Sequence, residues 1–292
     1  MYPCPNHERD GGEVYPVMRI AVVGDYKFTT APHWMGILEG IQELGHEAIP
    51  LHYEGNVAVP EHDLIIVGTF LEQDFGDKAV YWFCDIITEK PTFPNKPVFL
   101  SYRGLAQKYG AHHLFQGARR QKEVLRDSPN ADVVFVGNPN PNTHFNHLYD
   151  RRKELLKLTE PKVYSGNTPE ERAEIFGQLP SIFGNAAICL GIDAGYDIDC
   201  GFANRIWNTL GAGGFLLMQY TLGMERYFTN KKHLVWFKEP KEAPELVNYY
   251  LNHQDEARKI AKAGFRLVQS KHTYKNRIED MLRTLSVRQQ KS

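Results

Sequence analysis

SIFGNAAICLGIDAGYDIDCGFANRIWNTLGAGGFLL, residues Ser181–Leu217, is the stretch on which the reading of this chain turns. The apolar run Ala187–Ile192 predicts a strand covered on both faces. An acidic, glycine-bearing loop follows, and a short helix opens within Gly201–Asn204. That helix stops at Gly211, Gly213 and Gly214, and Phe215–Met218 returns as a second strand. A loop that leaves a parallel strand and enters a helix turns unpaired backbone N–H groups toward one spot, which suits an anion. Arg205 adds, in the first helical turn, a planar guanidinium matched to phosphate. The unit is therefore expected to hold a phosphorylated ligand at the carboxyl edge of a parallel sheet. Two blander readings stand beside it. One is a plain crossover with a solvated Arg205. The other is an Arg205 paired with Asp193, Asp197 or Asp199 to hold the loop.

Outward from this unit the same alternation continues. Met18–Gly24 is an apolar run closed by glycine. Pro32 then opens a helix with apolar residues at Trp34, Ile37, Leu38, Ile41 and Leu44, closed by Gly45. Ala48–His52 completes a strand–helix–strand unit. Further strands are predicted at Leu64–Val67, Val80–Cys84, Val98–Tyr102, Val133–Val136, Lys162–Tyr164 and Leu234–Phe237, and Ala243–Leu285 reads as almost all helix. Alternation of this kind implies a parallel α/β architecture. About eleven strands exceed one small sheet, so two Rossmann-like units are expected, with a closed eight-stranded barrel as the competitor. The expected division is a loose polar leader over 1–17, a first unit over 18–131, a second over 132–272, and a closing helix over 273–292 that packs back across both.

The chain has 292 residues, 42% of them apolar and 24% charged, enough for two cores. No apolar run is long enough for a membrane span. Four cysteines without ligand spacing, two of them in strand patterns, indicate a reducing, cytoplasmic setting. Net charge is −1 but divides unevenly. Residues 1–150 carry 12 Lys and Arg against 19 Asp and Glu, and residues 151–292 carry 22 against 16. A basic second half suits a ligand with phosphates. Arg119, Arg120, Lys122 and Arg126 form a local basic cluster whose spacing fits one helix face, the only support for a nucleic-acid partner.

The first βα turn has Gly24 but no G-x-G-x-x-G fingerprint, which disfavours a nicotinamide enzyme. Walker, H-E-x-x-H and G-x-S-x-G motifs are absent too. Asp193, Asp197 and Asp199 fit no calcium loop, and Cys4 with His7 lacks further ligands, so no metal is expected. Ligands of open α/β sheets bind outside the carboxyl ends of strands. Asp25 and Asp85 lie at two such ends and His33 at the start of the first helix. Each is a candidate general base for an attacking hydroxyl. The structural alternatives are a turn cap, a helix cap and a solvated imidazole, respectively.

The segment Asn204–Leu217, NRIWNTLGAGGFLL, resembles the R-x-F-E-x-x-A-x-G-G-x-x-L segment of spore-maturation CgeB-like glycosyltransferases. The tail strengthens the likeness through Tyr249-Tyr250-Leu251, Ile260-Ala261-Lys262-Ala263-Gly264, His272-Thr273-Tyr274 and Arg277. Val133–Asn138 (VVFVGN), with Arg151, Arg152 and Leu155, is similar to the opening of that family's C-terminal domain. Tyr81–Asp85 is similar to a strand of its N-terminal one. The resemblance covers about residues 132–285. It implies a GT-B fold, two Rossmann-like domains facing a cleft, and transfer of a sugar from a nucleotide donor, UDP-linked, without metal or other cofactor. It also implies a donor site built from Gly137, Asn138, Gly201, Phe202, Ala203, Asn204, Arg205 and Asn208. Asn208 stands where many members carry the Glu that contacts the donor ribose, and it offers both a donor and an acceptor without charge. The acceptor is open: a glycan, a small molecule or a modified base. The alternatives are a binding protein that keeps the fold without turnover, or a phage-type DNA-base glycosyltransferase.

Overall fold

The computed structural model describes residues 16–24, 32–53, 57–68, 73–91, 93, 95–123, 130–139 and 149–289. The first half contains β1 (Arg19–Gly24), α1 (Pro32–Glu43), β2 (Glu47–His52), β3 (Leu64–Val67), β4 (Ala79–Phe83), β5 (Val98–Leu100), α2 (Arg103–Tyr109) and β6 (His112–His113). Its six strands form one sheet in the order β2-β1-β3-β4-β5-β6, every neighbour parallel. The second half contains β7 (Asn130–Val136), α3 (Asp150–Thr159), β8 (Lys162–Tyr164), α4 (Pro169–Asn185), β9 (Ala186–Gly191), α5 (Asn204–Gly211), β10 (Leu216–Gln219) and β11 (Val235–Phe237). These strands form a second parallel sheet, β11-β10-β9-β7-β8. Both sheets have open edges, so the barrel alternative falls.

Each sheet is covered on both faces, which is why its central strands read as unbroken apolar runs. Ile20 and Val22 point to one side of β1, Ala21 and Val23 to the other, and all four are fully buried. In the second sheet Ile188 and Leu190 face away from Cys189 in the same way. The predicted strand Val98–Tyr102 is shorter, because Tyr102 already caps α2. β6 is a strand of two residues that no periodicity announces.

Three helices close the chain: α6 (Ala243–Asn252), α7 (Gln254–Lys271) and α8 (Tyr274–Gln289). Between α7 and α8 the chain crosses to the first half. Tyr274 N–H donates to Ala118 O at 3.0 Å, and Ala118 N–H donates to His272 O at 2.9 Å. Arg277 Nε donates to Gln116 O at 3.0 Å. α8 then shares a core with α1, where Tyr274, Ile278, Met281 and Leu282 meet Trp34, Ile37, Leu38 and Ile41. A Cβ at Gly40 would lie 2.7 Å from the Tyr274 backbone carbon and 2.8 Å from Lys275 N. Backbone cannot yield as a flexible side chain can. Gly40→Ala is therefore expected to destabilise the chain, although alanine favours a helix interior by about 1 kcal/mol over glycine. A lower urea midpoint at unchanged m-value is the expected result; a raised midpoint would show that the two helices can move apart.

Over its described part the predicted basic helix face does not form. Residues 119–123 are not helical. Arg119 Nε and Nη2 both bond Glu39, the former at 2.9 Å, and Arg120 reaches Glu43 at 3.4 Å. Two cations of the cluster are thus paired to carboxylates on α1, and Arg126 lies outside the described residues.

Candidate functional site

The carboxyl edges of the two sheets meet at a seam. Residues Tyr102–Gly104, at the start of α2, lie against the loop that joins β9 to α5. Gly104 N–H donates to Asp199 O at 2.9 Å, and Arg103 Nε lies 3.6 Å from Asp199 Oδ2. Glycine is required at Gly195, where a Cβ would sit 2.7 Å from the Tyr102 ring.

On the second-sheet side the central group is Asp193, the second residue after β9, whose side chain is fully buried. Its Oδ2 accepts from Ala203 N–H at 3.2 Å, and its Oδ1 lies 3.3 Å from Arg205 Nη1. The carboxylate therefore occupies part of the helix N-terminus that the sequence reserved for a ligand. Gly201 N–H is also spent, donating to Ile198 O at 2.9 Å. Phe202 is a core residue, stacked on Phe115 at 5.3 Å and fully buried.

Arg205 lies deeper than a helix-start position suggests. It is not a solvated first-turn arginine, since its side chain is 11% exposed. Besides Asp193 it donates to Ile192 O at 2.7 Å and to Val136 O at 2.9 Å, with its guanidinium carbon 4.8 Å from the Phe135 ring centroid. Of the three loop acids, Asp193 is the one that pairs with it. Gly137 fits this packing. Its φ is +139°, and a Cβ would stand 2.9 Å from Arg205 Nη2.

A second guanidinium, Arg152 of α3, lies near the same ring at 5.6 Å. It donates to Asn138 O at 3.0 Å and to Ile192 O at 3.4 Å. Burial lowers its pKa to about 10, with the positive Arg205 nearby adding to the effect. Burial also raises the pKa of Asp193, against the pull of Arg205 and the Ala203 N–H. Two buried guanidiniums thus lie near one carboxylate, Arg205 in contact and Arg152 at longer range, and Nε of both is buried without a hydrogen-bond partner. Uncompensated buried charge is costly, so this edge favours an incoming anion. Arg152 was visible in the sequence only as part of Arg151-Arg152.

Tyr102 and Tyr149 complete this side. The Tyr102 hydroxyl is held neutral chiefly by burial, reinforced by Asp193, Asp85 and Tyr149. Its proximity to both acids places it between the two halves, and its position two residues after a strand end was the signal that could have found it. Asn208 is partly exposed and its side chain has no hydrogen-bond partner among the described residues. Asn204 is half-buried, with its Oδ1 unpartnered.

On the first-sheet side, Asp85 is the second residue after β4; its side chain reaches solvent, yet the surrounding protein desolvates the carboxyl enough to raise its pKa. No helix follows it to be capped. His33 packs beside Trp34 with ring centroids 4.5 Å apart, and burial lowers its pKa to about 4. Asp25 lies outside the described residues. His113, at the end of β6, went unnoticed in the sequence. Its Nε2 is buried without a partner, and burial, then Arg277 and Arg103, lowers its pKa to about 3.

Both imidazoles are neutral in the folded chain, while in the unfolded chain they titrate near the ordinary histidine value, about 6.5. Between that value and the folded pKa the unfolded state binds more protons, so stability falls as pH drops from about 6.5 toward 4. Melting curves taken from pH 7.5 down to 4 should show this loss, and His113→Gln should flatten it. A melting temperature independent of pH across that range would contradict the burial of both rings.

Among the described residues no cluster of three or more His, Cys, Asp or Glu is placed to hold a metal ion. No helix among them is long and apolar enough to cross a membrane.

Two parallel α/β sheets whose carboxyl edges face one seam, with a closing helix returned to the first, define the GT-B class of glycosyltransferases. The solved structures agree. A glycosyltransferase from Rickettsia africae ESF-5 superposes with a TM-score of 0.56 at 11% identity, over 92% of this chain and 98% of its own. Anabaena Alr3699/HepE in complex with UDP-glucose gives 0.55 at 10%, over 92% and 100%. The DNA-modifying enzyme β-glucosyltransferase, solved with and without uridine diphosphoglucose, gives 0.57 at 13%, over 91% and 99%. The family model described as glycosyl transferase-like matches residues 119–283, more than half of the sequence. The chain belongs to that glycosyl transferase-like family. Among curated proteins no sequence matches.

Proposed function

We propose that this chain transfers a sugar from a nucleoside-diphosphate sugar, UDP-linked, to a hydroxyl acceptor, and that its nearer kin are the spore-maturation CgeB-like enzymes. The observation that carries the reading is the Arg152–Arg205 pair at the carboxyl ends of β7 and β9, two buried cations against the single carboxylate of Asp193. A diphosphate supplies the missing negative charge. As the bond from the sugar carbon to the diphosphate oxygen breaks, the electron pair leaves on that oxygen, and the fixed guanidiniums stabilise it where charge develops. The acceptor oxygen forms the new bond to carbon and gives its proton to Asp85. The raised pKa of Asp85 suits a base better than the strongly lowered pKa of His33. Asn208 contacts the donor ribose with its open amide. No cofactor beyond the donor takes part, and three buried free cysteines support a reducing, cytoplasmic setting.

Calorimetry with UDP, GDP, dTDP and the corresponding nucleosides tests this. At least one diphosphate should bind saturably, and more tightly than its nucleoside by one to two decades, the worth of a charge-assisted contact of about 1.5–3 kcal/mol. Equal binding of nucleoside and diphosphate would overturn the reading. Release of free nucleotide from a bound sugar nucleotide separates an enzyme from a binding protein. For the DNA-base alternative, two cations of the basic cluster, Arg119 and Arg120, are paired with Glu39 and Glu43.

A further inference from the structure

The loop from Asp193 to Gly201 has two charged ends. At one end Asp193 holds Arg205 and the start of α5. At the other, Asp199 takes Arg103 of α2 on Oδ2 at 3.6 Å and Arg226 on Oδ1. Between them the loop is tightly wound. Ile198 N–H donates to Gly195 O at 3.0 Å and Gly201 N–H to Ile198 O at 2.9 Å. Cys200 has a φ of +51°, a left-handed conformation that a residue with a Cβ adopts only under constraint. Its N–H is fixed to Leu222 O at 2.7 Å. These backbone bonds tie the Asp199 end of the loop to the stretch that carries Asp193.

We infer that Asp199 is a positioning residue, which seats the Asp193–Arg205 end of the loop by anchoring its other end to α2 of the opposite half. The inference rests on the donor reading given above. The charges are not idle surface groups, since the side chains of Arg103 and Asp199 are 19% and 23% exposed. The contact is also close. A Cβ at Gly104 would meet Ile198 Cγ2 at 3.1 Å and Asp199 N at 3.2 Å. Donor affinity then depends on a charge pair that does not touch the donor, and the two halves and the donor site are thermodynamically linked.

A double-mutant cycle with UDP as the probe tests this in the full chain. Asp199→Asn and Arg103→Ala should each weaken UDP binding about 3- to 10-fold, and the double variant should be no weaker than the worse single one. Asp199→Glu should recover part of the loss, and KM for the acceptor should stay unchanged. Circular dichroism identifies any variant that fails to fold, and Arg103→Lys then replaces Arg103→Ala in the cycle. Losses that multiply in the double variant would mean that Arg103 touches the donor directly, and the inference falls. Wild-type UDP affinity in both single variants overturns it as well. In both cases the unsubstituted chain still binds UDP. Absence of binding of UDP, GDP and dTDP alike by that chain overturns the donor reading itself.

Discussion

Arg205→Ala is expected to lower the unfolding free energy by about 3–5 kcal/mol, the usual cost of removing one partner from a buried ion pair. The side chain holds three groups from two strand ends: Asp193 at 3.3 Å, Ile192 O at 2.7 Å and Val136 O at 2.9 Å. Truncation leaves the Asp193 carboxylate buried against a single remaining positive neighbour, Arg152, removes the Arg205 bond to Val136 O, and leaves Ile192 O with only its longer bond from Arg152. Urea unfolding followed by circular dichroism reads this directly. Adding Asp193→Asn should recover part of the loss, because the stranded charge disappears. An exposed arginine would cost less than about 0.5 kcal/mol; a change that small would refute the burial described for this residue.

Asp85→Asn is expected to lower kcat by about 10²–10⁴-fold, the usual contribution of a positioned general base. UDP affinity and the melting temperature should hardly change, because Asp85 is exposed and lies in the opposite half from the arginines. The pH–rate profile adds a second readout. The base must be ionised, so the rate falls as pH drops through its raised pKa, and that acidic limb should vanish in the variant. UDP release from the bound donor in the presence of acceptor is the measurement. A kcat within about threefold of wild type would remove Asp85 from the role, and Asp25, the other strand-end acid of the sequence reading, would be tested next.

The same two residues show how far the sequence reaches. Asp85 was legible because strand and strand end are local properties. An apolar run such as YWFC predicts its own burial, and the residue after it must emerge at the sheet edge. α1 was legible for a similar reason, through its three-and-four spacing and the glycine at its close. The short helix with its terminal glycines was equally local. β6 was not, because two residues carry no periodicity. The basic cluster at 119–126 was misread as a helix face because its partners, Glu39 and Glu43, lie about 80 residues away.

Arg205 marks the boundary most sharply. Its residue type and its place at a helix start are in the sequence, and they rightly announce an interest in anions. Which anion it meets is settled by packing. Asp193 is 12 residues earlier and Val136 is 69 residues earlier, and only the pairing of β7 with β9 brings them to one point. Arg152 joined them for the same reason, and so did the seam where Tyr102 and Arg103 meet the Asp193–Gly201 loop. By itself the sequence determined the alternating elements, the two apolar cores and the absence of common nucleotide motifs, since each follows from residues within one element. The tertiary structure alone decided which charges are buried and which are paired. Burial and pairing depend on distances between chain segments that no local pattern encodes.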